Sequence, residues 1–211
     1  MTFPLALRAH AASAFGDGDA VVRWQTEPSP DEPVLDGDAL VRAIRARRSV
    51  RAYADAPLPR DELANLLRWS EAPIPADAPP VVRQLITVAA ADGLEPGIYD
   101  AALNLIEPRD EHELREAVGF AAMEQEHPRD AAVNVFQVAD LDAIVERLGE
   151  RGYRWAQLEA GIRAGRVQIG AFMRGWGAAA STFYDDEASR VLGTHEAPLL
   201  MVAIGRRRGT T

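Results

Sequence analysis

The chain has 211 residues, of which 47% are hydrophobic and 26% charged, and a formal net charge of -9. With a pI of about 5.0 and a mean hydropathy of -0.16, this is the composition of one soluble domain with or without arms, and a wholly disordered chain is excluded. The acidic balance argues against nucleic acid or an anionic membrane surface as the main partner, no apolar run approaches the roughly 20 residues of a bilayer span, and the absence of cysteine removes disulfides, thiolate metal sites and a Cys nucleophile.

Met1–Ser13 has no basic region ahead of its short apolar stretch and makes a poor signal peptide, so a cytoplasmic protein is expected. Residues 1–38 read as an arm, Gly-, Asp- and Pro-rich from Gly16 onward, with a short strand at Ala20–Trp24. Asp38 reads as the N-cap of a helix to about Arg47, and a second helix follows Pro59 with Leu63, Leu66 and Leu67 on one face. Glu71–Pro80 is a Pro/Ala-rich loop, and Val81–Ala89 a buried strand. Glu95-Pro96-Gly97-Ile98 has the order of a type II turn, leading to Ile98-Tyr99 and Leu103–Ile106.

A helix over His112–Val118, a strand over Ala132–Val138 and an Asp140-capped helix to Leu148 come next. Trp155, Leu158, Ile162, Gly165, Ile169, Phe172 and Trp176 then alternate spacings of three and four, which predicts a long helix with one buried stripe. Ala178–Phe183 is a strand, Asp185–Leu192 a helix closed by Gly193, and Leu199–Ile204 an apolar strand before Arg206-Arg207-Arg208. Helices and strands mix without regular βαβ alternation, so the fold class is α+β.

All 23 basic residues are arginine, which excludes lysine Schiff-base and P-loop chemistry. Five of them fall between Arg42 and Arg51. The run Arg47-Arg48-Ser49-Val50-Arg51 at a helix end suits a phosphate, and reads equally as a solvated helix face. Arg206–Arg208 are either a solubilising tail or a second basic cluster that folding brings to the first. Gly175-Trp176-Gly177 lies between a helix and a strand, the wrong order for a dinucleotide fingerprint. His112 and His127 lie in polar sequence and are expected to be exposed. The four histidines have no metal-ligand spacing. Glu159 reads as a buried catalytic carboxylate or, more simply, a helix-end or interface charge. Asp185-Asp186 read as a helix cap.

Arg47-Arg48-Ser49-Val50-Arg51-Ala52-Tyr53, then Pro57 and a Leu-rich helix, resembles the opening motif of the nitroreductase family. Gly93–Tyr99, Arg151-Gly152-Tyr153-Arg154-Trp155, Gly175-Trp176-Gly177 with Phe183–Asp186, and Leu199–Arg206 resemble stretches of its SagB-type dehydrogenase branch. The resemblance implies a three-layer sandwich with a mostly antiparallel sheet, residues 39–208 as the domain and 209–211 as a tail, and an intertwined homodimer with FMN at the subunit interface. It implies NAD(P)H as electron donor and a small-molecule or peptide substrate in a biosynthetic pathway. Arg47, Arg48, Ser49 and Arg51 match phosphate and ribityl positions, Ser181 and Thr182 a Gly-Gly pair beside the flavin ring, and Arg206 a C-terminal basic position. No catalytic residue is assigned.

The sequence departs from that branch at four places, one of them the long helix, where Ile162, Gly165 and Arg166 stand at positions usually polar near the ring. Ala72–Pro80 has neither the Ser nor the Gly of the cofactor-touching loop, Arg147 and Leu148 stand where a Lys-Tyr pair is usual, and Ser181-Thr182 replaces Gly-Gly. The departures leave a second reading open: a protein that keeps the fold without redox activity and serves as a binding or scaffold subunit.

Overall fold

The computed structural model describes residues 37–74 and 79–209; the arm with its Ala20–Trp24 strand lies outside them up to residue 36. In chain order the elements are α1 (Gly37–Ala46), α2 (Arg60–Ser70), β1 (Arg83–Val88), β2 (Gly97–Asp100), β3 (Leu105–Pro108), α3 (Glu111–Ala121), α4 (Glu126–Asp130), β4 (Val133–Ala139), α5 (Leu141–Leu148), α6 (Gly152–Met173), β5 (Trp176–Ser181), α7 (Asp185–Leu192) and β6 (Ala197–Arg206). The strands form one six-stranded sheet in the order β3-β2-β1-β4-β6-β5, antiparallel at every pairing.

Strand alternation builds the layers. Ile86, Val88, Val133, Val135, Val202 and Ile204 face α2 and α6, where Leu63, Leu66, Leu67, Ala164, Val167 and Ala171 meet them. The intervening Leu85, Phe136, Val138 and Met201 face α3 and α7, against Leu114, Val118, Ala188 and Leu192. All seven residues of β4 are buried, because the strand is central and covered on both faces. This is the expected α+β three-layer sandwich.

Three local expectations are corrected. Gly97 is not a turn glycine: it opens β2, where a Cβ would collide with the Glu107 carbonyl oxygen and with Leu105. The turn lies earlier, with Leu94 N donating to Ala91 O at 3.1 Å and Gly93 in the left-handed region at φ 69°. Asp185 and Asp186 occupy the first turn of α7, where the helix dipole favours them, but make no capping hydrogen bond; Tyr184 is the N-cap.

The third correction is the largest. The apolar stripe of α6 is not its buried side. Leu158 is 55% exposed, and Ile162, Ile169 and Phe172 are only half-buried. The side toward the core carries Ala156, Glu159, Ala160, Arg163, Ala164, Val167, Gly170 and Ala171. Small residues win there because the helix lies close to its neighbours: at Gly170 a Cβ would strike Leu66 and Trp69. Trp155 and Trp176 belong to the core.

Glu159 is 1% exposed. It pairs with Arg163 at 2.7 Å and accepts from Val81 N at 2.8 Å. Arg163 reaches on to Glu71 at 3.4 Å, Trp155 Nε1 donates to Pro79 O at 2.9 Å, and Arg166 donates to the carbonyls of Ala72 and Pro73. Glu159 is therefore a structural anchor that fastens the loop between α2 and β1 along α6.

Candidate functional site

The connection between α1 and α2 carries the arginine motif, and the end of the sheet positions it. Val50 N donates to Ala178 O at 3.0 Å and Ala54 N to Arg206 O at 2.9 Å, so residues 50–54 run along the outer edge of β5 and the end of β6. Tyr53 bridges Arg207, is buried and donates its hydroxyl to Ala203 O at 3.2 Å. Two glycines create the space. A Cβ at Gly205 would lie 2.6 Å from Tyr53 Cγ, and one at Gly177 would lie 2.7 Å from Val50 Cγ1. Burial pushes the Tyr53 phenol well above its ordinary pKa, with the charge of Arg51 opposing.

Five arginines hold this segment in place. Arg47 Nη1 donates to Gln168 Oε1 on α6 at 3.1 Å. Arg48 Nη1 donates to Arg45 O at 3.1 Å and Arg47 O at 2.9 Å. Arg206 Nε donates to Pro57 O at 2.8 Å. Its neighbours do likewise: Arg207 Nε reaches Trp176 O at 3.0 Å, with its guanidinium 5.0 Å from the Phe172 ring centroid, and Arg208 Nε reaches Tyr53 O at 3.2 Å. The two basic clusters do meet, and Arg206–Arg208 clamp the segment rather than trail as a solubilising tail.

Arg51 and Ser49 differ from these. Both are exposed, and Arg51 has neither a hydrogen bond nor an ion pair among the described residues. The charge of Arg51 is felt at Tyr53 and at His127.

His127 overturns the expectation of exposure. It is 6% exposed, and its Nε2 has no hydrogen-bond partner among the described residues. The short α4 is drawn in by Asn134 on β4, whose Nδ2 donates to Pro128 O at 3.1 Å and to Thr87 Oγ1 at 3.3 Å. Burial first, and Arg51 second, lower the His127 pKa, so the neutral ring is favoured.

Ser181 and Thr182 end β5. Ser181 Oγ donates to Gln125 Oε1 at 3.1 Å, and Thr182 Oγ1 contacts Met123 Sδ at 3.4 Å, so both hydroxyls turn toward the loop between α3 and α4. That loop holds two consecutive non-glycine residues in the left-handed region, Met123 at φ 62° and Glu124 at φ 60°. Sequence reasoning missed this loop and His127. Nothing in a polar stretch such as Glu124-Gln125-Glu126-His127 signals a buried ring, although Pro128 hints at a break in the helix.

The chemistry of the donor set fits the anionic end of FMN: an uncommitted guanidinium and a neighbouring hydroxyl stand on a segment whose backbone is fixed. Among the described residues no group of three or more acidic, His or Cys side chains is arranged to hold a metal, and no helix is long and apolar enough to cross a membrane.

The chain is similar to a protein of Methanocaldococcus jannaschii named "Putative nitroreductase MJ1384", with 28% identity over 191 residues, covering 83% of this chain and 94% of that one. A solved nitroreductase-type structure from Anabaena variabilis superposes with a TM-score of 0.73 at 27% identity and covers 89% of this chain, which spans 42% of that longer one. A Desulfovibrio desulfuricans structure of the same description, in complex with FMN, shares the fold at a TM-score of 0.56 and 16% identity, covering 81% of this chain and 87% of that one. The sequence profile described as "Nitroreductase family" matches residues 44–206, the span from the end of α1 through the clamp at Arg206, and the chain belongs to that family.

Proposed function

We propose that the protein is an FMN-dependent oxidoreductase, allied by its motifs to the SagB-type dehydrogenases, that acts on a small molecule or peptide in a biosynthetic pathway. The observation that carries this reading is Arg51: an exposed cation without a partner among the described residues, two positions from the Ser49 hydroxyl, on a segment locked to β5 and β6. In this reading Arg51 and Ser49 bind the phosphate. Arg47, Arg48 and Arg206 set where they stand, through Gln168, the carbonyls of Arg45 and Arg47, and Pro57. Ser181 and Thr182 border the ring end. Bound FMN would supply two-electron transfer, with NAD(P)H as the donor. The FMN complex of the Desulfovibrio structure supports the choice of cofactor.

The same reading makes the protein a homodimer. Leu158, Ile162, Ile169 and Phe172 on α6 present an uncovered apolar stripe. Val41 and Ile44 of the neighbouring α1 are 45% and 54% exposed, and a second copy would cover both helices.

FMN titration followed by quenching of its fluorescence tests the proposal. The wild type takes up FMN, turns yellow and is bleached by NAD(P)H. Arg51→Ala loses about 1.5–3 kcal/mol of charge-assisted bonding, roughly a ten- to hundredfold rise in Kd. A folded, colourless protein that takes up no FMN supports the scaffold reading instead.

A further inference from the structure

Next to Thr182 lies an open cavity of about 610 Å³ that the cofactor reading does not use. Its walls are two aromatic rings, Phe120 at the end of α3 and Tyr184 before α7, with centroids 6.3 Å apart and planes tilted by 50°. They are 52% and 47% exposed, large apolar faces left open to solvent. Tyr184 N donates to Ala121 O at 2.8 Å, which fixes one wall against the other. The carboxylates of Glu124, Asp185 and Asp186 complete the lining, and the Glu187 carboxylate there is paired with Arg190. Three carboxylates stand against no unpaired cation of the lining.

We propose that this cavity is the substrate pocket and that it selects an organic cation, a primary amine or guanidinium carried on an aromatic or apolar body. Aromatic faces attract cations through the ring quadrupole, and they bury an apolar body. The carboxylates fix the sign: an anion is repelled, and a neutral isostere loses the charge term. Placement supports the assignment. The wall at Tyr184 follows Thr182 by two residues, and Glu124 lies between Met123 and Gln125, which contact Thr182 and Ser181. The pocket therefore adjoins the ring end of the proposed flavin site. The substrate role rests on that flavin reading, whereas the preference for cations rests on the cavity alone.

Titration calorimetry of the full chain with tryptamine, tryptophol and indole-3-acetate, with and without FMN, tests it. Tryptamine binds at least about tenfold more tightly than tryptophol, and indole-3-acetate does not bind. In the double variant Glu124→Gln/Asp186→Asn that preference falls to about twofold or less while FMN affinity is unchanged. Phe120→Leu, a change on an exposed wall that the fold tolerates, weakens tryptamine several-fold and serves if the double variant does not fold. Equal binding of tryptamine and tryptophol, or a preference that survives both variants, overturns the proposal. Uptake of FMN without tryptamine binding overturns the pocket and leaves the cofactor reading standing. Selective tryptamine binding without FMN uptake overturns the cofactor reading and the substrate role, and leaves the cation site.

Discussion

His127 shows how a single side chain ties stability to acidity. The unfolded chain protonates a histidine near its ordinary value of 6.5, whereas burial and Arg51 hold the folded ring neutral to lower pH. The unfolded state therefore binds more protons as the pH falls through that value, and acidification favours unfolding. Urea midpoints measured between about pH 7.5 and 5.5 should fall for the wild type and stay flatter for His127→Gln. At this scale the sequence was legible where a residue type is rare in its role. The arginine-serine run stands out as letters, whereas the glycines at 177 and 205, which seat Val50 and Tyr53, take their role from a contact that only the fold makes. His127 was not legible, because its burial comes from Asn134, oriented by Thr87, which holds the Pro128 carbonyl across the fold.

Among the elements, α6 is the instructive one. Periodicity located the helix and misassigned its faces. The strongest apolar repeat marks the side left uncovered, while the inner side is built mainly from alanine and glycine, with Trp155, Val167 and one ion pair. A pattern read from one chain cannot distinguish burial within a subunit from burial between subunits, since both remove the same atoms from water. The Glu159–Arg163 pair makes the inner face testable. The side chains are 1% and 7% exposed, so Glu159→Ala leaves a buried guanidinium with only the longer Glu71 contact at 3.4 Å and should cost about 3 kcal/mol in chemical denaturation. Glu159→Leu/Arg163→Met should recover most of that loss, because a buried pair is no better than a well-packed apolar one. Strands were easier to read: β1, β4 and β6 carry apolar residues on both faces because they lie in the covered part of the sheet, with Gln84, Thr87, Asn134 and Gln137 as buried polar exceptions.

For the whole molecule, the mass in solution is the decisive measurement. Sedimentation should give twice 22.9 kDa for the wild type, and Leu158→Glu should yield a folded monomer. That side chain is 55% exposed in the single subunit, so its replacement leaves the subunit core intact. A wild type that sediments as a monomer removes the shared interface from the proposed function. The α+β class was legible from the order of elements, and the three-layer architecture from the family resemblance. The meeting of residues 47–57 with residues 203–208 was not, because nothing local encodes a contact across about 150 positions.

That meeting bears on synthesis. The segment with the uncommitted guanidinium leaves the ribosome early, but its hydrogen-bond acceptors and the glycine hollows that receive Tyr53 belong to β5 and β6. During translation the segment proposed to bind the cofactor has nothing to lie against until those last two strands emerge. Vectorial folding of this protein therefore builds the β3-β2-β1-β4 side of the sheet first and the edge formed by β5 and β6 last.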